Sequence, residues 1–350
     1  MANTPIKFAE PPKIPLGSLI LVTGANGLIA SHVADQLLAA GYRVRGTVRN
    51  KARCAWLEST FISRYGECRF ELVEVSDLAA PGVWEGPVRG VAGIASVAGC
   101  ADLMVSDVDE AVEQDLKGLF SLLATAKSES SVKSFVLTSS SWAAWTPEPN
   151  VPITVTVESW NEKAVTLAAD VSVARETKGI LPFMAVKVKV EKACWDWVAR
   201  EKPGFTFNTI LPDTTIGPIL DARNQTASTS GMVMWLYNGE HLDILSGFVP
   251  QWCIDARDTG RLYVAALVTG VDGWRVFGCA ERFSWNRVLD ILKRVYPEKD
   301  FVDLSDNGDD QAEILSDKPL ALLRAVGQDG WTSLEQSVKD AAASALSAAA

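Results

Sequence analysis

Gly24, Gly27 and Ala30 stand at three-residue intervals directly after an apolar run, Leu19-Ile20-Leu21-Val22, and before a stretch of helical spacing. That arrangement suits one piece of chemistry. Gly24 permits a tight turn, Gly27 lets backbone N–H groups approach a pyrophosphate at the following helix N-terminus, and Ala30 lets helix and strand pack closely. Asn26, Leu28 and Ile29 complete the loop that would cradle the phosphates. A basic cluster follows at Arg45, Arg49, Lys51 and Arg53, in a chain whose formal net charge is −10. A site built for a ribose 2′-hydroxyl places an acid at this point, whereas a guanidinium suits a 2′-phosphate through paired hydrogen bonds. Arg49, assisted by Arg45 or Lys51, therefore points to NADP rather than NAD.

The later strand ends carry further polar groups, and in an open parallel sheet ligands bind beyond the carboxyl ends of the strands. The third apolar run ends near Asp77-Leu78, where a carboxylate would accept from an adenine amino group. The fourth ends in Gly93-Ile94-Ala95-Ser96, and the small Ala95 is expected to let backbone lie against the cofactor ribose. The fifth ends in Thr138-Ser139-Ser140-Ser141. A hydroxyl there either bonds a substrate carbonyl or ends the strand by bonding its own backbone.

These groups need elements to hold them. Strands are expected at Ser18–Thr23, Tyr42–Val48, Phe70–Val75, Gly90–Ala95, Ser134–Thr138, Phe205–Leu211 and Trp274–Gly278. Helical stretches run over Leu28–Ala40, stopped by Gly41, over Val108–Lys127, after Pro182, and over Ile254–Val268. Thr332-x-x-Glu335 reads as a capping box before a last helix. Strands alternating with helices imply right-handed crossovers and an α/β fold, a Rossmann-type doubly wound parallel sheet. On this reading residues 1–210, with 251–280 returning to them, form the dinucleotide-binding domain. Residues 211–250 and 281–350 form a smaller, mostly C-terminal substrate-binding region.

At 350 residues, 48% hydrophobic and 22% charged, the chain carries a large core and is not globally disordered. Its negative charge argues against nucleic acid or an anionic membrane as partner. The six cysteines are scattered and the only histidines are His32 and His241, which argues against a metal site. Reduced thiols, an N-terminus without signal-peptide layout and no apolar stretch of about 18 residues fit a cytoplasmic protein. The expected partner is a small-molecule substrate, with the chain a monomer or homodimer.

The loop Val22-Thr23-Gly24-Ala25-Asn26-Gly27, the run Arg45-Gly46-Thr47-Val48-Arg49, the strand end Phe135-Val136-Leu137-Thr138-Ser139-Ser140 and Leu211-Pro212 together resemble the extended short-chain dehydrogenase/reductases. The likeness covers roughly residues 16–340 and extends to the epimerase/dehydratase-like members. It is strongest to the branch holding the yeast aldehyde/ketone reductases and dihydroflavonol reductases, as in Ser228-Thr229-Ser230-Gly231 and Phe283-Ser284-Trp285-Asn286. The resemblance implies that Ser140 orients the substrate, that Lys187 holds the nicotinamide ribose and that Pro212 lies beside the nicotinamide. It also implies a tyrosine four residues before Lys187 as the proton donor. That position holds Phe183, which has no hydroxyl. Gly93 stands where many relatives carry histidine, and Asp213 where they often carry asparagine.

No tyrosine lies between residues 66 and 236 to be borrowed. Asp213, if burial raises its pKa, or Tyr237, His241 or Lys187 would have to give the proton. Three readings stay open. The first is a reductase of carbonyls, imines or alkenes with a different proton donor, acting on a bulky apolar, secondary-metabolite-like substrate. The second is an isomerase, dehydratase or cyclase that retains NADP without turning it over. The third is an NADP-binding regulator without catalysis. Trp142, Trp145, Trp160, Trp235 and Trp252 are expected to line a large apolar cleft, which weighs against the third.

Overall fold

The computed structural model describes residues 5–174 and 177–349. Twelve strands occur among them: β1 (Leu19–Val22), β2 (Arg43–Val48), β3 (Phe70–Glu74), β4 (Gly93–Ser96), β5 (Ser134–Thr138), β6 (Pro152–Val155), β7 (Thr206–Pro212), β8 (Thr214–Ile216), β9 (Gln251–Asp255), β10 (Arg275–Gly278), β11 (Glu281–Phe283) and β12 (Gln311–Ile314). Seven of them form one wholly parallel sheet in the order β10-β7-β5-β4-β1-β2-β3.

A parallel sheet must be covered on both faces, so its strands are continuously apolar. Ile20, Leu21 and Val22 of β1 are fully buried. On one face Val33 and Leu37 of helix Leu28–Ala39 meet Leu262 and Ala266 of helix Ala256–Val268. On the other, Leu119 and Leu122 of helix Val108–Ser128 pack with Val186 and Val190 of helix Leu181–Glu201. Each such leucine or valine contributes about 1.5–3 kcal/mol by burial. The strand order reverses between β1 and β4, and the crevice beyond their carboxyl ends is where such a sheet takes ligands.

A smaller sheet, β11-β9-β8, and the parallel pair β12-β6 lie outside the large one. A separate core joins helices Ser228–Asn238, Trp285–Val295 and Leu334–Ala349 through Val233, Leu236, Val288, Leu292 and Val338. No described helix is long and apolar enough to cross a membrane.

Several boundaries differ from the sequence expectation. The fourth strand begins at Gly93, because Gly90 turns with φ +71°. Gly93 itself is wedged among Ile14, Ile20 and Leu267, at the end of the strand remote from the crevice, so its lack of a side chain is a packing matter. The helix expected from Ile254 begins at Ala256. Residues 251–255 are β9, and the Asp255 carboxylate caps the helix by accepting from Arg257 N–H at 2.7 Å. The last helix is capped by Ser333, which accepts from Gln336 N–H at 3.3 Å. Thr332 instead spends its hydroxyl on Asp258, at 2.9 Å.

Candidate functional site

β1 hands the chain to helix Leu28–Ala39 through a turn that only glycine fits. Gly24 has φ +66°, and a Cβ there would stand 3.1 Å from Ala98 Cβ. Gly27 N–H closes the turn on Gly24 O at 2.9 Å. Gly27 caps the helix without a side chain, so the first-turn amides of Leu28, Ile29 and Ala30 face the cleft open to an anion. Thr23 Oγ1 pins the opposite wall, accepting from Val97 N–H at 2.8 Å and Ala98 N–H at 2.9 Å. This cradle fits the pyrophosphate of a dinucleotide.

The cleft above it has two joined lobes, of about 790 Å³ and about 600 Å³. Gly24, Asn26, Gly27, Leu28, Ile29, Arg49 and Leu78 line the first. Lys187 lines the second, and Ser140, Phe183, Pro212 and Asp213 line both. The elements explain the convergence. Ser140 leaves β5, Asp213 leaves β7, and Phe183 and Lys187 sit one turn apart on helix Leu181–Glu201, on its face toward the sheet.

Three expected cofactor contacts fall elsewhere. Ala95 is wholly buried inside β4 and accepts Thr23 N–H through its carbonyl; the strand runs one residue further, so Val97, Ala98 and Gly99 form the wall instead. Arg45 cannot assist Arg49. Its guanidinium is committed to Glu71 of β3 at 2.7 Å and to the carbonyls of Pro87 and Arg89, closing the short helix Glu85–Val88. Asp77 is exposed and its Oδ1 accepts Ala79 N–H at 2.9 Å, while Val75 and Leu78 make the wall beside it. Arg49 remains exposed at the cleft mouth.

The tryptophans divide in the same way. Trp142 and Trp235 line the cleft. Trp145 packs against Phe277, Trp160 lies under the Arg275 guanidinium at 3.8 Å, and Trp252 lies beside Arg282. Residues the sequence did not single out complete the cavity: Gly99, Leu103, Thr226 and Met232. The small pair Ala98-Gly99, one residue after β4, was a visible signal for Gly99 alone.

Around the reacting region, Ser140 Oγ accepts Trp142 N–H at 3.2 Å, which leaves its own hydrogen free to donate. Phe183 is 7% exposed and meets Trp142 edge-on at 6.0 Å. Lys187 Nζ donates to Cys100 O at 2.8 Å, and burial pulls its pKa down against the opposing Asp115 carboxylate. Asp213 is buried; its Oδ1 accepts Thr214 N–H at 2.7 Å. Burial pushes its pKa up to about 7, against the lowering effect of the Thr214 amide and the Ser141 hydroxyl.

Neither other candidate donor reaches this point. Tyr237 meets Tyr296 and Phe301 edge-on, and exposed His241 lies against Trp235. The buried Tyr263 phenol is bonded to Thr138 Oγ1.

Residues 20–274 match the NAD dependent epimerase/dehydratase family. Aldehyde reductase 2 of Sporidiobolus salmonicolor is 39% identical over 330 residues, 93% of this chain and 96% of that protein. Ketoreductase adrE of Penicillium rubens is 36% identical over 337 residues, covering 93% and 96%. In three dimensions the yeast methylglyoxal/isovaleraldehyde reductase Gre2, solved with NADPH, superposes with a TM-score of 0.75 at 21% identity, covering 94% of this chain and 98% of that one.

Proposed function

The chain belongs to the NAD dependent epimerase/dehydratase family, and from that premise we propose that it is an NADP(H)-dependent reductase of a bulky apolar carbonyl, imine or alkene. The observation that carries the proposal is the junction of the two lobes. A phosphate cradle of Gly24 and Gly27 opens directly onto an aromatic-walled chamber lined by both Ser140 and Asp213. The relatives named as an aldehyde reductase and a ketoreductase support the same chemistry.

Bound in the cradle, NADPH would supply a hydride. Asn26, Leu28 and Ile29 would hold its pyrophosphate and Arg49 its 2′-phosphate. Val75 and Leu78 would cover the adenine, and Pro212 and Lys187 would flank the nicotinamide end. Ser140 would donate its free hydroxyl hydrogen to the substrate oxygen, and Trp142, Trp235 and Met232 would exclude water. Residues 211–250 and 281–350 act as the substrate-binding part, and residues 1–210 with 251–280 as the cofactor-binding part. We place the protein in the cytoplasm as a monomer or homodimer.

One observation favours a second reading, a non-redox isomerase, dehydratase or cyclase on the same scaffold: residue 183 offers no proton. The test is to incubate the protein with NADPH and a panel of bulky ketones, enones and imines while following the absorbance of the reduced nicotinamide. Product formed with equal loss of NADPH supports the reductase. Product formed with NADPH intact sinks it in favour of the second reading. The aromatic chamber weighs against a regulator without catalysis, which would give binding and no product at all.

A further inference from the structure

We propose that Asp213, acting on the reductive reading above, delivers to the substrate oxygen the proton that residue 183 cannot. The residue ends β7, where its N–H bonds Gly278 O at 3.1 Å, and it lines both lobes of the cleft. Oδ1 is engaged by Thr214 N–H. Oδ2 is buried without a hydrogen-bond partner of good geometry, and so is Ser141 Oγ.

The Ser141 hydroxyl acts on this carboxyl and favours its charged form, but burial outweighs it, and a buried carboxylate so weakly bonded is costly when charged and tolerable when it carries a proton. The titratable groups acting on Asp213 reinforce this. They are the Asp310 carboxyl and the Cys253 and Cys279 thiols, none of them cationic. A carboxyl titrating near neutral pH suits a general acid, since it is populated in the acid form and still gives up its proton readily. The Cβ–Cγ torsion of an aspartate is soft, so a proton held just beneath the wall reaches the cleft by a small turn.

The step balances. The carbonyl carbon gains a hydride with its electron pair from NADPH, and the C=O π pair moves to oxygen. That oxygen takes the proton from Asp213, whose carboxylate is reprotonated by water. Ser140 bonds the same oxygen and orients it.

The test combines one measurement without turnover and one with it. Infrared titration of the cofactor-free protein from about pH 4 to pH 9 reads the carbonyl stretch of protonated carboxyl groups. A band lost with a midpoint of about 7, and missing in Asp213→Asn, is expected. Asp213→Asn, of nearly equal size, is expected to lose about 10²–10⁴-fold in kcat while its Kd for NADPH stays within about threefold. A wild-type protein without the band, or an Asp213→Asn enzyme that reduces at the wild-type rate, overturns the proposal. The two failures are separable. Absence of the band removes Asp213 as the acid whatever the enzyme reduces, whereas a band without NADPH oxidation overturns the reductive reading.

Discussion

The Lys187 ammonium lies 5.1 Å from the centre of the Phe183 ring, one helical turn away, and donates to Cys100 O at 2.8 Å. The resemblance to the short-chain dehydrogenase/reductases implies a phenol at that position, with its pKa lowered by the lysine. Here the lysine faces a π cloud instead, a contact worth about 0.5–2 kcal/mol. Phe183 is in turn packed edge-on against Trp142. It is a fitted part of the wall, and it has no hydroxyl to give a proton.

Phe183→Tyr tests this directly. With the proton already supplied, the added hydroxyl is expected to raise carbonyl reduction by less than about tenfold and to leave NADPH affinity nearly unchanged. Steady-state rates on the best ketone substrate read the outcome. A gain of about 100-fold or more would mean that the native site lacks an acid.

Arg49→Ala is expected to raise the Kd for NADPH about 10–100-fold, the worth of a charge-assisted hydrogen bond or two. The Kd for NADH should move far less. Quenching of tryptophan fluorescence on titration gives both numbers, and equal weakening of the two would contradict a 2′-phosphate contact at Arg49.

Asp213 also makes stability depend on pH. Its folded pKa of about 7 lies above the ordinary 3.8. The advantage of the protonated form is therefore complete below about pH 4 and is lost as pH rises through about 7. The rise from 3.8 to about 7 sets an upper bound of about 4 kcal/mol. Urea unfolding from pH 4 to pH 8 should show the wild type weakening where Asp213→Asn stays flatter. Parallel curves would argue that Asp213 is ionised throughout.

Behind the site, Arg275 is buried against Glu191 at 2.8 Å and bonds the carbonyls of Val157 and Ser159. Glu191 also accepts the hydroxyl of Ser139, next to Ser140, at 2.6 Å. Arg275→Met leaves the carboxylate buried and unpaired, and should cost about 3–5 kcal/mol in denaturant unfolding. A loss under about 1 kcal/mol would mean the pair is solvated.

The sheet and the glycine turn after β1 were legible because their signals are local. β1 is a short apolar run, and Gly24-x-x-Gly27 follows it at once. What lay beyond reach depends on neighbours distant in sequence. β8, β9 and β11 are three to five residues long and exist only by pairing with one another. Arg45 and Arg49 look alike in sequence, but Arg45 has Glu71 as its register partner on β3 and Arg49 lies past the strand end. Ala95 missed the wall because the strand extends to Ser96. Asp213 was legible as a candidate acid from its place after the strand, but not its burial, which is set by β7, β10 and the Ser141 turn.

The most direct measurement is a single turnover with NADPH deuterated at the transferable C4 position and an accepted ketone, followed by mass analysis of the product. One deuterium per product molecule, at the former carbonyl carbon, with one NADPH oxidised per product, is the predicted result. Product that carries no deuterium while the NADPH remains reduced would contradict the account.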